Sequence, residues 1–323
     1  MIALLVLVLL ALLTFRTAAY FREDTPFGEA SADKGRYVPT PEGSLFVIEH
    51  GDPDAPPVLF AHGTAAWSGL WEPTLGAAAR SDYRSIAFDM PPFGFSQHAS
   101  DEDYSRQRQA DRALALIQTM DIRPIIVAHS VGAGPMAEMV LRHPDAVSGL
   151  IIVDGAIALG SDLAPKALPM PLRNDTLREF LVAATGTNPL LTRQFLRSFM
   201  HIKDAATDEI VTLLQEPMHQ KSYTAAVSAW VPQLFETPRD AISTKPEAWA
   251  GLKLPTALIW GDADTITPLE QAHELMELIP EATMIVLPDV GHIPQLEAPA
   301  QFQEALLRAL NGVQQLAKER EDP

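Results

Sequence analysis

The chain has 323 residues, 47% of them apolar, enough to bury a large core, and one domain with an insertion fits that length better than two unrelated domains. A formal charge of −17 repels nucleic-acid phosphates and argues against a polynucleotide partner. The absence of cysteine excludes disulfides and thiolate metal sites and leaves the compartment open.

Residues 2–13 are wholly apolar. A span of about 20 residues, at about 1.5 Å each, would cross a hydrocarbon core of about 30 Å. Residues 1–20 are therefore expected to be a membrane anchor, with Arg16 snorkelling to the interface and Tyr20 and Phe21 at the boundary. A cleaved signal peptide is one alternative, since Thr17-Ala18-Ala19 approximates a cleavage site, although the lack of Lys or Arg before the apolar run speaks against it; a buried core helix is the other. Arg16, Arg22, Lys34 and Arg36 all follow that run, which favours a cytoplasmic face. The expected localisation is thus membrane-associated, with residues 21–35 as a linker.

Residues 36–155 read as the first part of an α/β core. Residues 36–40 and 44–50 form an opening hairpin around Pro41-Glu42-Gly43, and 57–61 is the next strand, ending at His62-Gly63-Thr64. Trp67 and Trp71, four apart, suit either a pocket wall or the core. A strand at 84–89, an amphipathic helix at 104–120 and a strand at 147–154 continue the alternation.

Within this part, Ile125, Ile126 and Val127 suit a strand buried on both faces, and residues 131–143 carry a helical apolar face. Ser130 stands at the corner. So sharp a turn strains the corner residue and demands small neighbours two away, here Ala128 and Gly132. The amide of Val131, at a helix N-terminus, would point toward an oxyanion formed beside Ser130. Alone, this pattern also fits an ordinary strand-to-helix turn. The later residues supply the remaining parts in the order Ser, Asp, His.

Residues 156–249 break the alternation. Helical spacing over 174–184, 189–200, 206–215 and 220–235 is punctuated by Pro171, Pro189, Pro217 and Pro238. The region is rich in Leu, Phe, Met and Val, which suits a cover over an apolar substrate. The second part of the core, 250–312, holds strands at 255–260 and 282–287 and a helix at 299–310. Residues 313–323 form a charged tail, of which residues 318–323 are expected to fray.

Six segments carry a family resemblance: LFAHGT (59–64), FDMPPFGFS (88–96), the turn at Ser130, LIIVDG (150–155), LIWGDADTITP (258–268) and GHIPQLEAP (291–299). Together they resemble the α/β-hydrolase superfamily, in the branch with a helical lid after the sixth strand, over about residues 37–310. Two positions depart from its pattern: Ala128 and Pro92 stand where the family usually has Gly. The resemblance implies a mostly parallel sheet flanked by helices, with 156–249 as the lid. It implies a Ser130, Asp264, His292 triad, the acid standing third after Gly261 and the histidine following the last strand. Thr64 joins Val131 in the oxyanion hole. Asp154 is an alternative acid, Asp262 a turn-forming neighbour, and His62 a residue that holds its own loop. Tyr223 has no assigned role, since relatives that open epoxides with a lid tyrosine need an Asp nucleophile; Ser130 argues against that chemistry and against dehalogenation.

The expected activity is a carboxylesterase or lipase-like serine hydrolase, cleaving an ester of a mostly apolar small molecule through an acyl-enzyme, with no metal or organic cofactor. The expected partners are that substrate and, through the N-terminal segment, a membrane; oligomeric state is not readable. Three alternatives stay open: a carbon–carbon bond hydrolase, against which Ile293 stands where those enzymes usually carry Trp; a cofactor-free peroxidase; and a non-catalytic ligand receptor.

Overall fold

The computed structural model describes residues 2–29, 34–160, 168–235 and 240–321. Residues 30–33 of the expected linker, Pro238 of the expected insertion and the last two residues of the tail lie outside the described residues.

Eight strands share one sheet: β1 (Arg36–Thr40), β2 (Gly43–His50), β3 (Pro57–Ala61), β4 (Arg84–Phe88), β5 (Ile125–His129), β6 (Gly149–Val153), β7 (Thr256–Gly261) and β8 (Thr283–Leu287). Their spatial order is β1-β2-β4-β3-β5-β6-β7-β8. The hairpin β1–β2 and its junction with β4 are antiparallel, and every later pair is parallel. Parallel neighbours require crossovers, which helices supply. These are α1 (Ile2–Arg22) before the sheet, then α2 (Glu72–Ala79), α3 (Arg106–Met120) and α4 (Ala133–Arg142). Between β6 and β7 run α5 (Asp175–Ala184), α6 (Thr192–Phe199), α7 (Asp208–Gln215), α8 (Tyr223–Trp230) and α9 (Pro246–Ala250). α10 (Glu270–Leu278) precedes β8; α11 (Pro294–Glu297) and α12 (Pro299–Glu321) follow it.

The central strands are apolar at every position because helices cover both faces. Alternation then sends Leu59, Ile126, Ile152 and Leu258 to one face, against α3, α4 and α10. Val58, Phe60, Val127, Ile151 and Ile259 go to the other, with Trp71 of the α2 side and Phe302 of α12. Trp67 and Trp71 are fully buried in this second cluster, so the pair is core. The resulting α/β architecture is the expected one.

Local chemistry sets the helix ends. Asn174 and Thr207 cap α5 and α7 by accepting from the Leu177 and Ile210 amides. The segment expected at 220–235 leaves the α-helix at Trp230 and tightens into a 3₁₀ turn over Val231–Leu234, where Pro232 lacks the N–H that an α-helix would use. α12 runs on to Glu321 through the region expected to fray, since Ala309, Leu310 and Val313 are buried and Arg320 pairs with Glu281.

The base of the β6–β7 insertion is tied down twice. Arg106 of α3 donates to the Ile157 carbonyl (2.8 Å) and Ser243 Oγ (3.0 Å). Glu138 of α4, fully buried, accepts from the amides of Ile242 (3.3 Å) and Ser243 (2.9 Å) and pairs with Arg142. The entry and exit of the insertion thus meet on α3 and α4.

The N-terminal segment corrects the expected membrane localisation and, with it, the membrane partner. Among the described residues no helix is long and apolar enough to cross a membrane. The second half of α1 is committed to protein contacts. Arg16, expected to snorkel, pairs with Glu179 of α5, and Ala19, within the supposed cleavage site, is fully buried. Arg22 Nε donates to the Met218 carbonyl (3.1 Å), and buried Glu23 accepts from both the amide and the hydroxyl of Thr224. Thr25 continues as a short parallel bridge beside Gln220. The exposed apolar part, about residues 3–13, covers roughly 16 Å of helix, about half of a hydrocarbon core.

Candidate active site

Ser130 lies where β5 passes into the 3₁₀ turn Ser130–Gly132 and then α4. Its φ of 53° is in the left-handed region, so the side chain is set at a strained corner. The loop after β3 packs against this corner: a Cβ on Gly63 would stand 2.9 Å from Ser130 Cβ and 3.0 Å from His129 Nδ1, so only glycine fits. That approach brings Thr64 to the wall of the cavity above Ser130. Val131, the next residue of the turn, is partly buried against the apolar cluster that holds Phe93, Tyr223 and Trp230. His62 holds the loop, donating from Nδ1 to the Gly63 carbonyl (2.8 Å) and accepting the Met90 amide at Nε2 (2.9 Å). Burial pushes its imidazole down to about 4, so it is neutral.

The structure brings Ser130, His292 and Asp264 into one hydrogen-bonded chain. Ser130 Oγ lies 2.8 Å from His292 Nε2, and His292 Nδ1 lies 2.7 Å from Asp264 Oδ2. Asp264 Oδ1 accepts from the amides of Ile266 (2.7 Å) and Thr267 (3.1 Å). Burial raises the Asp264 carboxyl, but the bond and charge of His292, with those of Thr267 and Ile266, outweigh it and hold the group below its usual range. An ionised Asp264 fixes the His292 tautomer with its proton on Nδ1, leaving Nε2 to accept from Ser130.

The His292 imidazole bonds Asp264, not the alternative acid Asp154. Asp154 is fully buried and accepts the Gly261 amide at Oδ1 (2.9 Å), and burial, then the charge of Asp264, push its carboxyl well above the usual carboxylate range. Asp262 is exposed and accepts the Asp289 amide (2.7 Å), a turn contact.

Three further residues enter the site that the motifs alone did not single out. Thr267 Oγ lies 2.7 Å from Asp264 Oδ2, 3.0 Å from the Asp154 carbonyl and 3.2 Å from His292 Nδ1, bridging the acid to the imidazole. His129 donates from Nε2 to the His292 carbonyl (2.7 Å), with burial first and then His292 pushing its imidazole down to about 3. Glu297 accepts four backbone amides, two from Gly291 and Ile293 of the His292 loop and two from His201 and Ile202. Sequence offered a signal for His129, which immediately precedes Ser130; the partners of the other two come from folding.

A cavity opens beside Ser130 and His292. Its apolar walls come from the insertion, with Phe195, Leu196 and Phe199 of α6, Leu214 and Met218, and from the α/β core, with Leu70, Ile293 and Leu296. The Phe199 ring lies 6.0 Å from that of His292. Among the described residues lining the cavity there is no Lys or Arg.

The chain is 26% identical over 253 residues to 2-hydroxymuconate semialdehyde hydrolase of Pseudomonas sp. (strain CF600), covering 76% of this chain and 83% of that one. It is 26% identical over 263 residues to Lipase 1 of Psychrobacter immobilis, covering 79% and 76%. A meta-cleavage product hydrolase from Pseudomonas fluorescens IP01 superposes with a TM-score of 0.70 at 23% identity, over 87% of this chain and 98% of that chain. A family model described as the alpha/beta hydrolase fold matches residues 56–299, and the chain belongs to that family.

Proposed function

We propose that the protein is a serine hydrolase that cleaves a neutral, mostly apolar carboxylic ester. The observation that carries this is the chain from Ser130 Oγ through His292 to Asp264, opening on an apolar cavity. Ser130 Oγ attacks the carbonyl carbon while His292 Nε2 takes its proton. The amides of Thr64 and Val131 stabilise the oxyanion, and Asp264 stabilises the imidazolium. His292 then passes the proton to the departing alcohol, and water repeats the cycle on the acyl-enzyme. The inserted helices act as the lid, presenting their Phe and Leu side chains to the acyl group.

The names of the relatives favour a second reading, cleavage of a carbon–carbon bond by the same triad. A dienoate, as in the name of a relative from Burkholderia cepacia, carries a carboxylate. Burying that charge in a wall without Lys or Arg would be costly, which supports the neutral ester. The test is direct: p-nitrophenyl esters from two to sixteen carbons are compared with a 2-hydroxy-6-oxo-dienoate, using the parent and Ser130→Ala. Ester turnover lost in the variant, at least a hundredfold above dienoate turnover, is expected; the reverse preference would establish the carbon–carbon reading. A non-catalytic receptor would turn over neither.

A further inference from the structure

We propose that Glu297 is a positioning residue that ties the loop carrying His292 to the wall of the cavity, so that the two keep one relative position. The inference rests on the proposed role of Ser130 and His292.

Glu297 ends the short helix α11 and is buried, 7% exposed. Its Oε1 accepts the Ile293 amide (3.0 Å) and its Oε2 the Gly291 amide (3.1 Å), so the carboxylate brackets His292 on both sides. Oε2 also accepts the amides of His201 and Ile202, each at 2.7 Å. Those two residues directly follow Met200, the C-cap of α6. α6 supplies Phe195, Leu196 and Phe199 to the cavity and sets Phe199 beside the His292 ring. One carboxylate therefore joins the general base to the helix against which an acyl chain would lie.

The convergence is close. A Cβ on Gly291 would stand 2.5 Å from the His201 amide nitrogen and 2.8 Å from each Glu297 oxygen. Glycine at 291 is what lets three chain segments meet on one anion. Bonds from amides to an ionised carboxylate are short and about twice as strong as neutral ones; two of them hold the loop on either side of His292 and two hold the segment after α6. A neutral amide at 297 cannot replace this anion, because its NH₂ donates and would face backbone N–H groups.

The test uses fluorophosphonates with an ethyl or an octyl chain, whose capture by Ser130 reports both activation and chain fit whatever the natural substrate. In Glu297→Gln the inactivation rate constants of the folded protein should fall at least tenfold, and the octyl-to-ethyl preference of the parent should shrink at least threefold. Ile202→Pro removes a single wall-side amide, at a residue whose φ of −83° suits proline, and should also lower the preference. A Tm loss in both variants with rates and preference as in the parent would make Glu297 purely structural and overturn the proposal. If Glu297→Gln does not fold, the preference in Ile202→Pro decides. Failure of the parent itself to label would instead overturn the role of Ser130, and this proposal with it.

Discussion

Gly132 packs against the backbone of His62: a Cβ at residue 132 would stand 2.4 Å from the His62 carbonyl oxygen. The obstacle is backbone, so neither side can yield by turning a side chain. Gly132→Ala should push the His62-Gly63-Thr64 loop away from Ser130 and withdraw the Thr64 amide from the oxyanion. Removing one such donor lowers kcat by about a hundred- to a thousandfold. Ester turnover within threefold of the parent would show that the loop does not contribute that donor.

The two buried acids should separate cleanly. Asp264→Asn leaves His292 in the wrong tautomer and should lower kcat by about ten-thousandfold. Asp154→Asn replaces a carboxyl that burial pushes well above the usual carboxylate range and that does not bond the imidazole, so kcat should stay within about tenfold. A stability measurement checks the protonation. A buried acid whose folded pKa is raised stabilises the fold least when pH is above the unfolded value, because the folded state must then hold a proton the unfolded chain releases. The Tm gained by Asp154→Asn over the parent should thus be larger at pH 8 than at pH 4. An equal difference at both would mean that Asp154 is ionised in the folded protein.

What was legible in the sequence is what is local. Ser130 could be read because a buried strand, a corner and small neighbours lie within ten residues, and His292 because it follows the last strand. Thr267 and Glu297 could not: the first acts through an imidazole twenty-five residues away, and the second through four main-chain amides that leave no mark on side-chain pattern. The N-terminal segment misled for a physical reason. Hydropathy registers the apolar run of α1 but not the ion pair of Arg16 with Glu179, nor Glu23 beneath Thr224, which bind the helix to protein.

Glu138 should matter to the inserted helices rather than to the chemistry. Glu138→Ala leaves the buried amides of Ile242 and Ser243 without their acceptor, at about 1–3 kcal/mol each. The expected result is a lower Tm and faster limited proteolysis within residues 156–249, with cleavage elsewhere unchanged. Uniformly faster cleavage along the whole chain would point to global destabilisation instead.

The last expectation concerns the N-terminal segment as a strap on the cavity wall. Arg22 holds the carbonyl of Met218, and Met218 lines the cavity; Thr25 pairs with Gln220, and Glu23 accepts from Thr224. Removing residues 1–23 leaves the Thr224 amide and hydroxyl without their buried acceptor, again about 1–3 kcal/mol each, and frees the turn that carries Met218. Ser130, His292 and Asp264 are positioned by β5, β7 and the loop after β8, none of which touches this strap through a hydrogen bond named above. The truncated protein should therefore keep kcat on a two-carbon p-nitrophenyl ester within about threefold, while KM for an eight-carbon ester rises five- to tenfold. Glu23→Gln retains an acceptor for Thr224 and should show a smaller rise. An unchanged KM for the eight-carbon ester in the truncated protein would mean that the wall around Met218 stands without its strap.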